Sequence, residues 1–223
     1  MKTAPARFNQ HRPAAPSPLS RRQRHSAAVR QRLFDAAMQM FAERGFVKTT
    51  VEDITNAADV GKGTFFNYFR SKEELLNSFG ETRIAKIRTA LREALRGGEP
   101  LEIVMRRLYF NLTLEPTRTR ELTRSMILAM LSNEKVREFA CEKLQRSGSL
   151  TAKIFSLGQE RGEIRSDARP SDLAQLFKES HFGAMLLWSI VPSARLNPTI
   201  SRAFNHFWAG AAAIRPREKK GGS

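Results

Sequence analysis

Helical spacing of apolar residues runs through this sequence and leaves no room for a sheet. From Val29 onward apolar side chains recur three and four positions apart, as in Val29, Leu33, Phe34, Ala37, Met40 and Phe41. That spacing places them on one face of an α-helix. No stretch alternates with period two long enough to make a strand, and no fixed internal repeat is present. An all-α fold follows, with glycines and prolines at its joints. The first helix ends at Arg44, with Gly45 just beyond it. Thr50 and Asp53 form a capping box that opens a second, short helix. Asp59-Val60-Gly61-Lys62 is a tight turn, relaxed by Gly61, and Gly63 to Phe69 form a third short helix. Ser71-Lys72-Glu73-Glu74 is a second capping box, opening a long helix to about Arg96. Further helices are expected over roughly 101–114, 118–132, 134–161, 170–191 and 197–214, separated by Pro100, Pro116, Pro170, Pro192 and Pro198. The count is about nine.

Charge narrows the function. The chain of 223 residues has a formal net charge of +16, which favours a polyanion such as nucleic acid as partner. Its distribution is uneven. Residues 1–34 hold eight Lys/Arg and no acid, whereas residues 35–78 hold five basic and seven acidic residues. Residues 1–26, with Pro5, Pro13, Pro16 and Pro18, read as a disordered basic arm. Such an arm is either a solvated tail or a segment that tracks DNA backbone or a minor groove. The longest near-continuous apolar run, Phe182 to Val191, is about half of what a bilayer needs, so no membrane partner is expected. Cys141, the single cysteine, can form neither an internal disulfide nor a cysteine-rich zinc site. The N-terminal arginines are not followed by an apolar segment of the secretory kind, and a reducing cytoplasmic location is expected. No metal and no cofactor are implied.

Three short helices near the start, the second and third joined by a four-residue turn, make a helix-turn-helix arrangement. Gly63 and Thr64 put a small backbone and a hydroxyl at a helix start, where free N–H groups suit a phosphate. Asn67 and Tyr68 can offer an amide and a phenol to base edges or backbone, while Phe65 and Phe69 point inward. Lys72 places a cation at the next helix start.

From Val29 to Phe79 the chain closely resembles the N-terminal domain of TetR-family transcriptional regulators. The resemblance rests on Ala36-Ala37, Phe41, Gly45-Phe46, Thr49-Thr50-Val51, Asp53-Ile54, Ala57-Ala58, Val60, Lys62-Gly63-Thr64, Tyr68-Phe69 and Ser71-Lys72-Glu73-Glu74-Leu75. Two positions depart from the family pattern: Thr55 stands where alanine is usual, and Phe66 where a tyrosine often reaches a phosphate. The resemblance implies that Thr50 touches phosphate, that Lys62, Gly63, Thr64, Phe66, Asn67 and Tyr68 form the recognition element, and that Lys72 binds DNA backbone. It also implies a TetR-like division. A basic arm covers 1–26, and a helix-turn-helix DNA-binding domain covers 27–80, with its recognition motif at about 50–69. A helical ligand-binding and dimerisation domain covers 81–215, and a basic tail covers 216–223.

The C-terminal part matches the family more loosely, through Gly162-Glu163-Ile164-Arg165-Ser166-Asp167, Leu173-Ala174, Gly183 and Trp188. Its last two helices are apolar nearly all round and need cover on both sides. A homodimer interface over Leu173, Phe177, Ala184, Leu187, Trp188, Phe204, Phe207, Trp208 and Ala211 would supply it; the alternative is a monomer with these helices central in its bundle. A dimer would also let two recognition helices read one palindromic site on double-stranded DNA. The resemblance further implies a pocket for a small apolar or amphipathic ligand. Met105, Leu108, Tyr109, Met126, Met130, Phe139, Phe155, Phe182 and Met185 are the candidate lining, since methionines and aromatics suit an adaptable apolar site, with plain core packing the favoured alternative for each. His181 is either a packing histidine or a group that orients a ligand or senses protons. Gly80, inside the long fourth helix, is a possible point of bending. Two function classes remain: a repressor released from its operator by a small molecule, and a DNA-binding protein of the same fold controlled by a protein partner. A third, an enzyme, has no support, because the chain lacks H-E-x-x-H, a phosphate loop, G-x-S-x-G and any carboxylate–histidine cluster.

Overall fold

A computed structural model describes residues 20–114 and 116–213. Nine helices are present among them: α1 (Arg21–Arg44), α2 (Val51–Ala57), α3 (Lys62–Phe66), α4 (Lys72–Arg96), α5 (Leu101–Asn111), α6 (Arg120–Ser132), α7 (Glu134–Glu160), α8 (Pro170–Ile190) and α9 (Leu196–Ala211). The described residues contain no strand. A single isolated bridge joins Ile164 to Ala212, tying the α7–α8 loop to the end of α9.

α1 starts well before Val29. Ser20 and Gln23 form a reciprocal capping box, Gln23 N–H donating to Ser20 Oγ at 3.2 Å and Ser20 N–H to Gln23 Oε1 at 2.8 Å. The arm drawn over 1–26 therefore loses residues 20–26 to a helix, because the cap needs only two polar side chains and no apolar stripe. Residues 1–19 of that arm, the expected helix end at Ile214 and the tail 216–223 lie outside the described residues. The two other expected caps differ. At Thr50–Asp53 both halves of the box form. At Ser71 only the side-chain half does, since Glu74 Oε2 accepts from Arg70 N–H instead.

Two cores hold the molecule together. One packs Phe41, Phe46, Ile54, Phe65, Phe69 and Leu75 between α1, α2, α3 and the start of α4. It also takes in Leu122, Ala129 and Val136. The boundary expected at residue 80 therefore falls inside α4, and the N-terminal core leans on α6. The other core joins α5, α7, α8 and α9 around Tyr109, whose ring meets Phe177, His181 and Phe204 edge-on at 4.8–5.4 Å. Burial pushes the Tyr109 phenol up to about 12.

Most of the expected dimer stripe belongs to this second core. Leu173, Phe177, Ala184, Trp188, Phe204, Phe207, Trp208 and Ala211 are all buried within the subunit, and only Leu187 is exposed. α8 has two apolar arcs, and the inner one carries the more regular spacing. The outward arc is Leu176, Gly183, Leu187 and Ile190, of which the three large residues are half-exposed.

Candidate functional site: a helix-turn-helix face and an α4-centred cavity

The short helices expose the expected recognition face. Phe65 and Phe69 are buried, while Lys62, Gly63, Phe66 and Asn67 are exposed and Thr64 and Tyr68 are half-buried. Phe66 is 51% exposed and sets its ring edge-on against Phe65. α3 is shorter than expected, so Asn67 caps its C-terminus and Tyr68 lies in the turn beyond it. The backbone keeps winding there, with Tyr68 N–H and Phe69 N–H both donating to Phe65 O at 2.9 Å.

Glycine has no internal role at either end of this turn. Gly61 has φ −71°, and the left-handed residue is Asp59 at φ +51°. An aspartate tolerates that region through its short polar side chain. Arg32 steadies the turn by donating to the carbonyls of Ala58 and Asp59. A Cβ added at Gly61 or Gly63 would meet nothing within 4 Å. Neither backbone angle nor packing demands glycine there, which leaves open backbone at the recognition face.

Two of the residues expected to hold phosphate are committed within the chain. Thr50 Oγ1 accepts from Asp53 N–H at 3.1 Å and donates to Asp53 Oδ2 at 2.8 Å. The Thr50 backbone N–H, donating to Asp53 Oδ2 at 2.9 Å, then the Thr50 hydroxyl and Arg44 at 2.8 Å, hold the Asp53 carboxyl below its usual range. Lys72 reaches back across the α1–α2 loop, donating to Phe46 O at 2.8 Å, Val47 O at 3.2 Å and Thr49 O at 2.8 Å. Its ammonium also sits 4.6 Å from the Phe46 ring centre. An ammonium has three N–H groups, and all three have carbonyl partners here. Desolvation lowers its pKa. In this arrangement Lys72 positions the loop that opens α2, where a backbone-phosphate contact was expected. The capping motif shows in sequence, but a tertiary contact 23 to 26 residues away leaves no local signal.

The second site is a cavity of about 170 Å³ between α4, α6, α7 and α8. Five of the nine residues expected to line the pocket do so, Met126, Met130, Phe139, Phe182 and Met185, and so does His181. Met105, Tyr109 and Phe155, like Leu108, do not. They are fully buried in the C-terminal core, because α5 and the middle of α7 pack directly on α8 and α9. The wall that sequence reading missed is α4, which contributes Leu76, Asn77, Phe79, Gly80, Arg83 and Lys86.

The cavity gathers polar atoms without partners. Asn77 Oδ1, Arg83 Nε and His181 Nδ1 are sealed from solvent and make no hydrogen bond, and all three residues line it. Burial lowers Arg83 to about 10. His181 is held well below 6.5 by burial and then by the Arg83 charge. Thr113 Oγ1 donates to Tyr109 O at 3.0 Å, so the 3.1 Å contact between Thr113 Oγ1 and His181 Nε2 has the ring as donor. A neutral ring then presents a lone pair at Nδ1. By contrast, Lys143 is paired with Glu81 at 2.7 Å and Glu142 at 3.0 Å. Gly80 makes room for it: a Cβ there would lie 2.5 Å from Lys143 Cγ. The expected bending point thus has a packing role, close approach of α4 to α7.

A helix-turn-helix on one core, joined by α4 to a second helical core with a cavity between, is the architecture of a class of helical DNA-binding regulators. Residues 33–79 match the family model for bacterial regulatory proteins of the tetR family. The HTH-type transcriptional regulator TcmR of Streptomyces glaucescens is 30% identical over 167 residues, covering 70% of this chain and 71% of TcmR. The HTH-type transcriptional repressor DhaR of Mycobacterium sp. (strain GP1) is 29% identical over 164 residues, covering 73% of this chain and 83% of DhaR. The crystal structure of Thermus thermophilus FadR, a TetR-family transcriptional repressor in complex with lauroyl-CoA, superposes with a TM-score of 0.60 at 30% identity. That match covers 86% of this chain and all of the other. The chain belongs to the TetR family of transcriptional regulators, DNA-binding factors and not enzymes. Among the described residues no helix is long and apolar enough to cross a membrane.

Proposed function

We propose that the chain is a homodimeric repressor that binds a palindromic operator and leaves it when a small molecule fills the α4 cavity. In this reading residues 27–80 carry the DNA-binding unit and 81–215 the regulatory one, joined by the unbroken α4. The observation that carries it is the set of unpartnered polar atoms in a cavity whose surface is mostly apolar; a protein controlled by a partner would need no such space. FadR holds lauroyl-CoA, which makes an amphipathic effector the favoured kind. Lys62, Gly63, Thr64, Phe66, Asn67 and Tyr68 read the operator, and Thr50 and Lys72 set the geometry of α2 and α3.

α6 gives a cavity occupant a lever on that geometry. Met126 and Met130 line the cavity, and Ser125 beside them accepts from Phe46 N–H at 2.9 Å in a buried bond. Phe46 in turn accepts from Lys72. A ligand that shifts α6 or α4 therefore pulls on the loop that sets α2. Release needs only different affinities of the ligand for the two dimer shapes. In the dimer the outward arc of α8, centred on Leu187, meets its symmetry mate. Selection of bound sequences from random DNA by the purified protein tests the reading: a palindromic consensus is expected. Asn67→Ala should change that consensus, while Lys62→Ala weakens all sites. A consensus without two-fold symmetry, or none, would overturn it.

A further inference from the structure

We infer that the effector is an acid: an amphipathic molecule whose carboxylate, or an equivalent small anion, is received by Arg83. The inference rests on the small-molecule reading above and names the ligand's chemical class. Four cations line the cavity (Arg83, Lys86, Lys143 and Lys178) against one carboxylate, Glu73. Lys143 is neutralised by Glu81 and Glu142, and Lys86 donates to Asn111 O. Arg83 is different. Its Nε is buried without a hydrogen-bond partner, and burial alone shifts its titration, with no acidic group holding it.

A guanidinium does not lose its proton under ordinary conditions. Its Nε is therefore a sealed donor on a charged group with no partner, an arrangement that burial penalises. A planar fork of N–H donors is the group best matched to a carboxylate. The two other unpartnered atoms, Asn77 Oδ1 and His181 Nδ1, are acceptors. They would take a hydroxyl or N–H of the same molecule. Leu76, Phe79, Met126, Met130, Phe139 and Met185 leave the rest of the space to an apolar body.

Octanoate, octanol and octylamine share one body and differ in the head, so calorimetric titration of the full-length protein with each reads the head alone. Octanoate should bind on the order of tenfold or more tighter than either of the others. Arg83→Gln should erase that preference while keeping the affinity for octanol. Without ligand, Arg83→Gln should melt at or above the temperature of the parent, since it removes a charged donor that the chain leaves unpartnered; this also shows that the variant folds. Equal binding of all three heads, unchanged in Arg83→Gln, would overturn the acid assignment and leave the small-molecule reading intact. Failure of all three to bind would overturn both.

Discussion

Two cations on α4, about three turns apart, are treated in opposite ways. Lys72 gives all its donors to backbone carbonyls and lies over an aromatic ring. Arg83 is likewise half-buried, yet its Nε is sealed from solvent and has no partner. The contrast extends to their surroundings. Around Lys72 the capping residues Thr50, Asp53 and Ser71 are bonded within the chain. Around Arg83 the polar atoms of Asn77 and His181 are left over. A region whose polar groups are mutually satisfied is a rigid part, and one with leftovers is waiting for something else. The helix-turn-helix is thus preorganised, whereas the cavity keeps polar atoms that the chain itself does not satisfy.

The largest test of that contrast is Lys72→Met. It keeps much of the stem and leaves three carbonyls without their donor. A loss of roughly 2 kcal/mol in unfolding free energy is expected, read by urea denaturation, together with weaker operator binding. Lys62→Ala, on an exposed residue, should weaken binding with a stability change within about 0.5 kcal/mol. If Lys72→Met lost DNA affinity with no loss of stability, Lys72 would be a phosphate contact of the Lys62 kind, and the preorganised half of the comparison would fail.

Thr50→Ala comes next. It removes both the acceptor for Asp53 N–H and the hydroxyl donor to its carboxylate. A lost N-cap costs about 1 kcal/mol. Thr50→Ser, which keeps the oxygen, should restore most of it. An equal loss in both variants would mean that the methyl packing, not the cap, stabilises α2.

How far the sequence could carry these points depends on the range of the interaction. The helices and their caps were legible because they are local: Thr50 and Asp53 are three residues apart, as are Ser71 and Glu74. Ser20 and Gln23 obey the same rule, and only the proline-rich surroundings hid them. The inner residues Phe65 and Phe69 were legible from spacing. Eight of the nine residues expected at the dimer interface are buried within the subunit, because α8 is apolar on two arcs and periodicity cannot say which arc meets the subunit's own core. Met105, Tyr109 and Phe155 have the composition of a pocket wall but the position of a core. Arg83 was invisible for the opposite reason. An arginine between Thr82 and Ile84 in a basic helix reads as solvated surface, and only the cavity that α6, α7 and α8 close around this side of α4 takes it in.

The smallest expected effect is the pH dependence carried by His181. Burial and the Arg83 charge hold its folded value well below 6.5, so below that pH the unfolded chain binds a proton that the folded chain refuses. Stability from this residue is complete above 6.5 and falls as pH drops toward the depressed folded value. The loss is about 1 kcal/mol over the first pH unit below 6.5. The carboxyls of Asp53, Glu81, Asp167 and Asp172 are lowered from ordinary values of 3.8–4.5, so their contributions are lost only in more acid solution. Urea midpoints measured between about pH 7 and pH 5.5 should therefore slope in the parent and flatten in His181→Gln. An acid bound at Arg83 should shrink the same slope, because a neutralised guanidinium no longer opposes protonation of the ring beside it. If octanoate stabilises the protein equally at both ends of that range, Arg83 and His181 are not sharing one occupant, and the two leftovers belong to separate sites.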